Sequence, residues 1–193
     1  MDGDINIVLK RGTLTGNIYG GGYGEQEHLD KAKVTGDTKI STGAEDVADV
    51  ESNAPVTISG GVNIYGGGDM AQVEGDTYVN INHGNVTADV YGGGRGLTQS
   101  QSGTFTDYGK VTGNTRVWIN NQTTDNILTG NIYGGGALGA VQGNTQVVVK
   151  AGEVDGDIFG GGKGEEGSDK AKVTGNTNVI VDNSWEPESA TTP

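Results

Sequence analysis

The 193-residue chain contains no cysteine, only three prolines, and few aromatic residues, at 6% of the sequence. The absence of cysteine excludes disulfide bonds and thiolate chemistry. Cations are also scarce, because 12 lysines and arginines face 25 acidic residues, which gives a formal net charge of −13. Such a chain is poorly suited to bind nucleic acid or an anionic membrane surface, since phosphate contacts need clustered lysine and arginine. No apolar run approaches the length of a membrane-spanning helix, so we expect no membrane insertion.

Glycine is the residue in excess, with 37 copies, about a fifth of the chain against a usual share of roughly 7%. These glycines neither recur at every third position nor gather in one tract, so a collagen helix and a flexible linker are both poor explanations. Many of them belong instead to a recurring element in which an aromatic residue precedes three glycines. Its copies are "GNIYGGG" at 16–22 and 130–136, "VNIYGGG" at 62–68, "ADVYGGG" at 88–94 and "GDIFGGG" at 156–162.

A second element, V-x-G-[D/N]-T, alternates with the first along the chain. Its copies lie at 34–38, 73–77, 111–115, 141–145 and 173–177. In the two cleanest repeats the equivalent aromatic residues are 26 positions apart. The chain begins partway through one repeat and ends partway through another, so we expect it to be excised from a longer repeat array. Residues 1–183 then form a single repeat domain, and residues 184–193 form a linker or tail.

Within each repeat, apolar and polar residues alternate, which is typical of β-strands with one buried face. Val73, Val79 and Ile81 share one parity, for example, and Tyr78 and Asn80 share the other. A unit of this size cannot bury its apolar face alone, whereas stacked units bury it at about 4.8 Å per rung. We therefore predict an all-β fold. It is a β-solenoid, a right-handed parallel β-helix of about five rungs with a repeat of about 26 residues.

Insertions fall mainly between the glycine triplet and the V-x-G-[D/N]-T element, which places them at one corner of the predicted solenoid. That gap is minimal at 69–72 and 137–140, but longer at 23–33, 95–110 and 163–172. A further insertion, at 41–55, follows the threonine strand. Solenoids tolerate such loops because each rung contacts only its neighbours. Any specific chemistry is expected in these unequal insertions.

In a stack of such units, equivalent residues of successive repeats form columns. We expect one aromatic column next to a structural corner of stacked glycines, and one inward-facing threonine column. The aromatic column comprises Tyr19, Tyr65, Tyr91, Tyr133 and Phe159, and the threonine column comprises Thr38, Thr77, Thr115, Thr145 and Thr177. An aromatic column at the surface is also a platform on which sugar rings could stack.

The glycine triplet does not fit a phosphate-binding loop, because no GK[ST] motif and no following helix accompany it. It does not fit the calcium-binding nonapeptide roll either, since the period is too long. Two columns of Asn and Asp follow from the alignment, and stacked side chains that bond turn backbones are the interpretation we favour. Only Asp37 and Asp76 place carboxylates on adjacent rungs, so these two residues are the candidates for a calcium site. No cofactor and no catalytic residue is predicted.

The recurrence of "NIYGGG" and "VTGNT" in register resembles the glycine-rich β-helix repeats of large bacterial surface and adhesin-like proteins, over residues 3–181. This resemblance implies an extracellular, non-enzymatic rod, attached to the cell wall or secreted. We therefore expect a structural or adhesive stalk segment. Its expected partners are a glycan or a host or matrix protein, together with the neighbouring repeats of the parent chain. The alternatives are a carbohydrate-active β-helix similar to polysaccharide lyases, a phage fibre and an ice-binding solenoid.

Overall fold

The computed structural model describes residues 1–25, 29–43, 56–98, 107–121, 127–166 and 170–182. Within these ranges the chain has 16 β-strands, one short 3₁₀ helix and no α-helix. All four predicted insertions, at 23–33, 41–55, 95–110 and 163–172, are therefore described only in part, and the predicted tail at 184–193 lies outside the described residues. No helix in the described part of the chain is long and apolar enough to cross a membrane.

Each full repeat contributes one longer strand followed by two short ones. The strands are β1 (Ile5–Leu9), β2 (Gly12–Leu14), β3 (Ile18–Tyr19), β4 (Thr38–Thr42), β5 (Val56–Ile58), β6 (Asn63–Tyr65), β7 (Thr77–Ile81), β8 (Asn85–Val86), β9 (Asp89–Tyr91), β10 (Thr115–Asn120), β11 (Ile127–Leu128), β12 (Ile132–Tyr133), β13 (Thr145–Ala151), β14 (Glu153–Val154), β15 (Ile158–Phe159) and β16 (Thr177–Val181). The 3₁₀ helix covers Leu29–Ala32, within the first insertion.

These strands form three parallel sheets, and neighbouring strands in each sheet come from consecutive repeats. The first sheet has the order β1-β4-β7-β10-β13-β16. The second has the order β2-β5-β8-β11-β14, and the third has the order β3-β6-β9-β12-β15. The prediction of an all-β chain whose repeats stack through parallel strands is thus confirmed.

The strand register pairs equivalent residues of the repeats. In the first sheet Thr77 pairs with Thr38 on one side and with Thr115 on the other. The valines that begin the V-x-G-[D/N]-T elements are joined by parallel bridges from Val34 through to Val173. Side chains alternate with a period of two, so a slip of one residue would turn the buried face outward. The register is therefore fixed by the same parity that the sequence shows.

Inward residues of all three sheets build one hydrophobic core. Ile40 of the first sheet, Ile58 of the second and Ile64 of the third belong to the same cluster, and each is completely buried. A smaller cluster comprises four of the bridging valines, Val34, Val73, Val111 and Val141. β-Branched residues dominate both clusters because their stiff side chains pack well on a pleated surface.

The glycine triplets lie where the third sheet ends, and the backbones of successive repeats approach closely there. A Cβ atom on Gly66 would lie 2.2 Å from the carbonyl oxygen of Gly92, in the next repeat. No real Cβ contact is this short, so the stacking itself requires glycine at this position. The predicted role of the triplet as a structural corner has this close approach as its physical cause.

Candidate functional site

The aromatic residues that precede the glycine triplets form one continuous stack along the third sheet. Neighbouring ring centroids are 4.8–5.0 Å apart, and the ring planes lie within 9° of parallel. The stack contains Tyr19, Tyr65, Tyr91, Tyr133 and Phe159. Each inner ring has a neighbouring ring on both faces. A sugar therefore cannot stack on the inner rings, which present only their edges to a ligand.

The tyrosine hydroxyls bond to the Asn or Asp two residues earlier in the chain. The hydroxyl of Tyr65 accepts a hydrogen bond from Asn63 Nδ2 at 3.1 Å, whereas the hydroxyl of Tyr91 donates one to Asp89 Oδ2 at 3.0 Å. A phenol can act in either direction, so the same position accepts an amide or a carboxylate as its partner.

Burial keeps these tyrosines protonated. Burial raises the pKa of Tyr19 to about 12, and it also raises the pKa values of Tyr65, Tyr91 and Tyr133. The carboxylate of Asp89 adds to the rise in the pKa of Tyr91. A charged phenolate within the stack would be poorly solvated, and it would also lie close to a second negative charge.

We expect the chain to lose stability as the pH rises above about 10, the ordinary pKa of tyrosine. The folded state holds these protons more tightly than the unfolded state does. Their contribution is therefore fully present below that pH, and it is lost as the pH rises through the folded-state pKa, about 12 for Tyr19. Tyrosinate absorbance and β-sheet circular dichroism, followed together in an alkaline titration, test this. Full ionisation near the ordinary pKa with an unchanged β-sheet signal would contradict it.

Two ladders of Asn and Asp side chains tie successive repeats together. In each ladder the side-chain oxygen of one residue accepts the backbone N–H of its equivalent in the next repeat, at 2.7–3.2 Å. The first ladder contains Asp4, Asp37, Asp76, Asn114, Asn144 and Asn176. The second contains Asn17, Asn63, Asp89, Asn131 and Asp157.

Asp37 and Asp76, the candidates for a calcium site, both belong to the first ladder. Asp37 Oδ1 accepts the backbone N–H of Asp76 at 2.8 Å, and Asp76 Oδ1 accepts the backbone N–H of Asn114 at 2.7 Å. The described residues contain no group of three or more His, Cys, Asp or Glu side chains that could hold a metal ion. The arrangement of these carboxylates is accounted for by the ladder.

The threonine column lies at the start of the first sheet and is buried at four of its five members. The hydroxyl group of each buried threonine donates a hydrogen bond to a backbone carbonyl oxygen. The acceptor is the first glycine of the next glycine triplet along the chain. The pairs are Thr38 with Gly66, Thr77 with Gly92, Thr115 with Gly134 and Thr145 with Gly160. Thr177, on the last strand, is exposed. The column thus links the first sheet to the glycine corner.

An open groove of about 900 Å³ runs beside the edges of Tyr65 and Tyr91. Its other wall comes from the segments that follow the glycine triplets, including Leu97, Leu138 and Gly164. Three predicted insertions therefore contribute to it, since Tyr23 and Glu25 of the first insertion also line it. This groove is the place where the repeated framework and the unequal insertions meet.

Two ion pairs span repeats at this groove. Arg95 binds both carboxylate oxygens of Asp69, at 2.7 and 2.8 Å, and this pairing raises the pKa of its guanidinium. Lys163 lies 3.2 Å from Asp89 Oδ2. Burial opposes ionisation of Asp89, but the backbone N–H of Asn131 and the Lys163 ammonium outweigh it and lower the pKa of that carboxyl group.

Sequence reasoning did not identify Arg95 and Lys163 as groove residues. Both directly follow a glycine triplet, as does Asp69, and Asp69 and Arg95 pair in a parallel bridge between neighbouring repeats. The sequence could therefore have predicted the Asp69–Arg95 ion pair, because the two residues have opposite charges at the same position of neighbouring repeats. No protein-family model, curated protein or solved structure matches this chain.

Proposed function

We propose that this chain is a stiff, non-enzymatic stalk segment of a bacterial cell-surface protein. The supporting observation is that every repeat is tied to the next by several ladders at once. Parallel strand pairs join the repeats in three sheets, and the aromatic stack and the two Asn/Asp ladders run along the same direction. Bending such a stack would stretch one or more of these ladders. Stiffness along the repeat direction is what a spacer requires.

The architecture that we propose for this stalk is a right-handed parallel β-helix of about five rungs. It is supported by three parallel sheets that each take one strand per repeat, and by a core shared among them. Connections between parallel strands of one sheet are right-handed in about 98% of cases. Five rungs at about 4.8 Å make a rod of only about 24 Å, so a long stalk needs further repeats in the parent chain.

The stalk also has features suited to adhesion. The groove beside the aromatic stack is walled by insertions of unequal length, whereas the ladders repeat almost without change. The sequence and length of these insertions can change without disturbing the stacked strands, because each rung contacts only its neighbours. We therefore place the expected glycan or host or matrix ligand at this groove. A panel of glycans and matrix proteins tests this part, and absence of binding across the panel would contradict it.

The location is tested on the bacterium that encodes the chain. Antibodies raised against the purified chain are expected to label intact cells, and protease added outside the cells is expected to remove that labelling. An antibody against a cytoplasmic protein of the same cells controls for lysis. Labelling that requires permeabilised cells, and that resists external protease, would contradict the proposal of a cell-surface stalk.

A further inference from the structure

The outward face of the first sheet carries a groove that the strand register assembles from three repeats. Lys39, Tyr78 and Arg116 are lateral neighbours on β4, β7 and β10. Asn80 and Trp118 are paired in the same way, two residues further along β7 and β10. An open groove of about 440 Å³ lies over these side chains. It is formed by the first sheet, whereas the groove beside the aromatic stack follows the third.

Unpaired polar atoms concentrate on this face. Within the described residues, three buried side-chain atoms have no hydrogen-bond partner: Ser41 Oγ, Asn82 Nδ2 and Arg116 Nε. Ser41 and Arg116 lie at outward positions of β4 and β10, and Asn82 directly follows β7. Asn82 and Arg116 line the groove. Buried polar groups are hydrogen-bonded as a rule, because an unmet donor is costly. Asn82 and Arg116 therefore bring polar groups with unmet hydrogen-bonding capacity to the wall of the groove.

The charge of the groove favours an anionic ligand. Among the described residues that line it, Lys39 and Arg116 are the charged ones, and both are cations in a chain with a net charge of −13. A carboxylate beside the groove, that of Asp76, accepts a hydrogen bond from the Tyr78 hydroxyl at 3.3 Å. They lie two strands apart, which is about 10 Å along the stack. The guanidinium of Arg116 lies 4.2 Å from the centroid of the Trp118 ring, a cation–π contact that orients it over the sheet.

The neutral residues of the groove favour a saccharide. The amides of Asn80, Asn82 and Asn120 both donate and accept hydrogen bonds, as sugar hydroxyls do. Tyr78 and Trp118 add aromatic surface with a polar edge, which suits the mixed apolar and polar faces of a sugar ring.

The binding surface is long enough for an extended chain. A second groove of about 410 Å³ shares Tyr78 and Arg116 with the first and continues towards Asn144 and Asn176, in later repeats. Together the two grooves follow the stacking direction across most of the described repeats. We propose that this outward face binds an acidic polysaccharide, one of whose carboxylates meets Arg116. The inference does not rest on the stalk proposal, because it concerns a different surface and requires no particular location.

The test uses polygalacturonate as the probe and the full chain carrying Trp185→Phe. Trp118 and Trp185 are the two tryptophans, so fluorescence then reports on Trp118 alone. We expect the probe to change this fluorescence, with an affinity that falls as salt is added. Arg116→Gln is expected to weaken binding by roughly tenfold or more, since it removes a charged hydrogen-bond donor. Lys172→Gln removes one positive charge at an exposed position outside both grooves and is expected to bind as the parent does.

Several results would overturn the inference. One is unchanged affinity in Arg116→Gln when its circular dichroism shows a native fold, and another is equal weakening in Lys172→Gln. Equal binding of neutral dextran would exclude the role of charge, and equal binding of polyaspartate or DNA would exclude recognition of a saccharide. Release of unsaturated product from polygalacturonate would support this site but contradict the non-enzymatic stalk. Cell-surface labelling is measured separately, so the two proposals can fail independently.

Discussion

Replacement of Gly130 by alanine is expected to lower the free energy of unfolding by at least about 3 kcal/mol, whereas the same replacement at Gly16 is expected to be nearly neutral. Both glycines begin the same heptapeptide, "GNIYGGG". A Cβ atom on Gly130 would lie 1.8 Å from the carbonyl oxygen of Ala88, but a Cβ atom on Gly16 would meet nothing within 4 Å. The local sequence is identical in the two variants, so the difference between them measures stacking on the preceding repeat.

Urea denaturation followed by circular dichroism measures both variants against the parent chain. Equal destabilisation at the two positions would mean that glycine is needed for local backbone conformation, and it would contradict stacking as the cause. If Gly130→Ala does not fold, Gly135→Ala and Gly161→Ala form a milder pair in the middle of two triplets. A Cβ atom on Gly135 would lie 2.8 Å from the backbone nitrogen of Gly162, whereas one on Gly161 would meet nothing within 4 Å.

Replacement of Tyr91 by alanine is expected to cost about 3–5 kcal/mol of unfolding free energy, the range for a large buried aromatic residue. Tyr91 is 2% exposed, and its ring is stacked between those of Tyr65 and Tyr133. Removal of the ring leaves a gap between two rigid rings that the strand spacing holds apart. The cavity therefore cannot collapse, which places the expected cost towards the upper end of that range.

Two variants in the same column separate the ring from its hydroxyl and from its position. Tyr91→Phe is expected to cost about 1.5–3 kcal/mol, less than Tyr91→Ala, because it removes the hydrogen bond to the ionised carboxylate of Asp89 but keeps the stack. Phe159→Ala is expected to cost clearly less than Tyr91→Ala, since Phe159 is 43% exposed at the end of the column. Thermal unfolding of the three variants gives the order. A larger loss for Phe159→Ala than for Tyr91→Ala would show that the stack does not contribute as described.

The strand parity and the columns were predictable from the sequence because the same physical requirement recurs in every repeat. Val79 and Ile81 are buried while Tyr78 and Asn80 are partly exposed, as their alternation predicts. The short gaps after the triplets carried no comparable signal. Met70 and Leu138 have positive φ values of 62° and 63°, which few residues other than glycine adopt. A methionine or a leucine in the sequence does not indicate such a backbone conformation.

The grooves were hard to predict for the opposite reason, since they consist of residues that differ between repeats. Lys39, Tyr78 and Arg116 occupy one aligned position and share no chemistry that a repeat alignment would emphasise. Their juxtaposition follows only once the register is known. In this chain the framework is predictable where the repeats share the same residues, and the grooves lie where the residues of the repeats differ.

The Asn/Asp ladders also determine how the chain responds to the spontaneous deamidation of asparagine. Spontaneous deamidation converts asparagine through a succinimide to aspartate and, in larger part, to isoaspartate, and both products add a negative charge. Here the ladder uses only a side-chain oxygen as acceptor, and Asp89 occupies the same position as Asn63 and Asn131. The tyrosine hydroxyls adapt as well, since one accepts from Asn63 and another donates to Asp89. An aspartate formed at these positions would leave the stacking hydrogen bonds in place, whereas an isoaspartate, whose backbone is one atom longer, would disturb the register of the ladder.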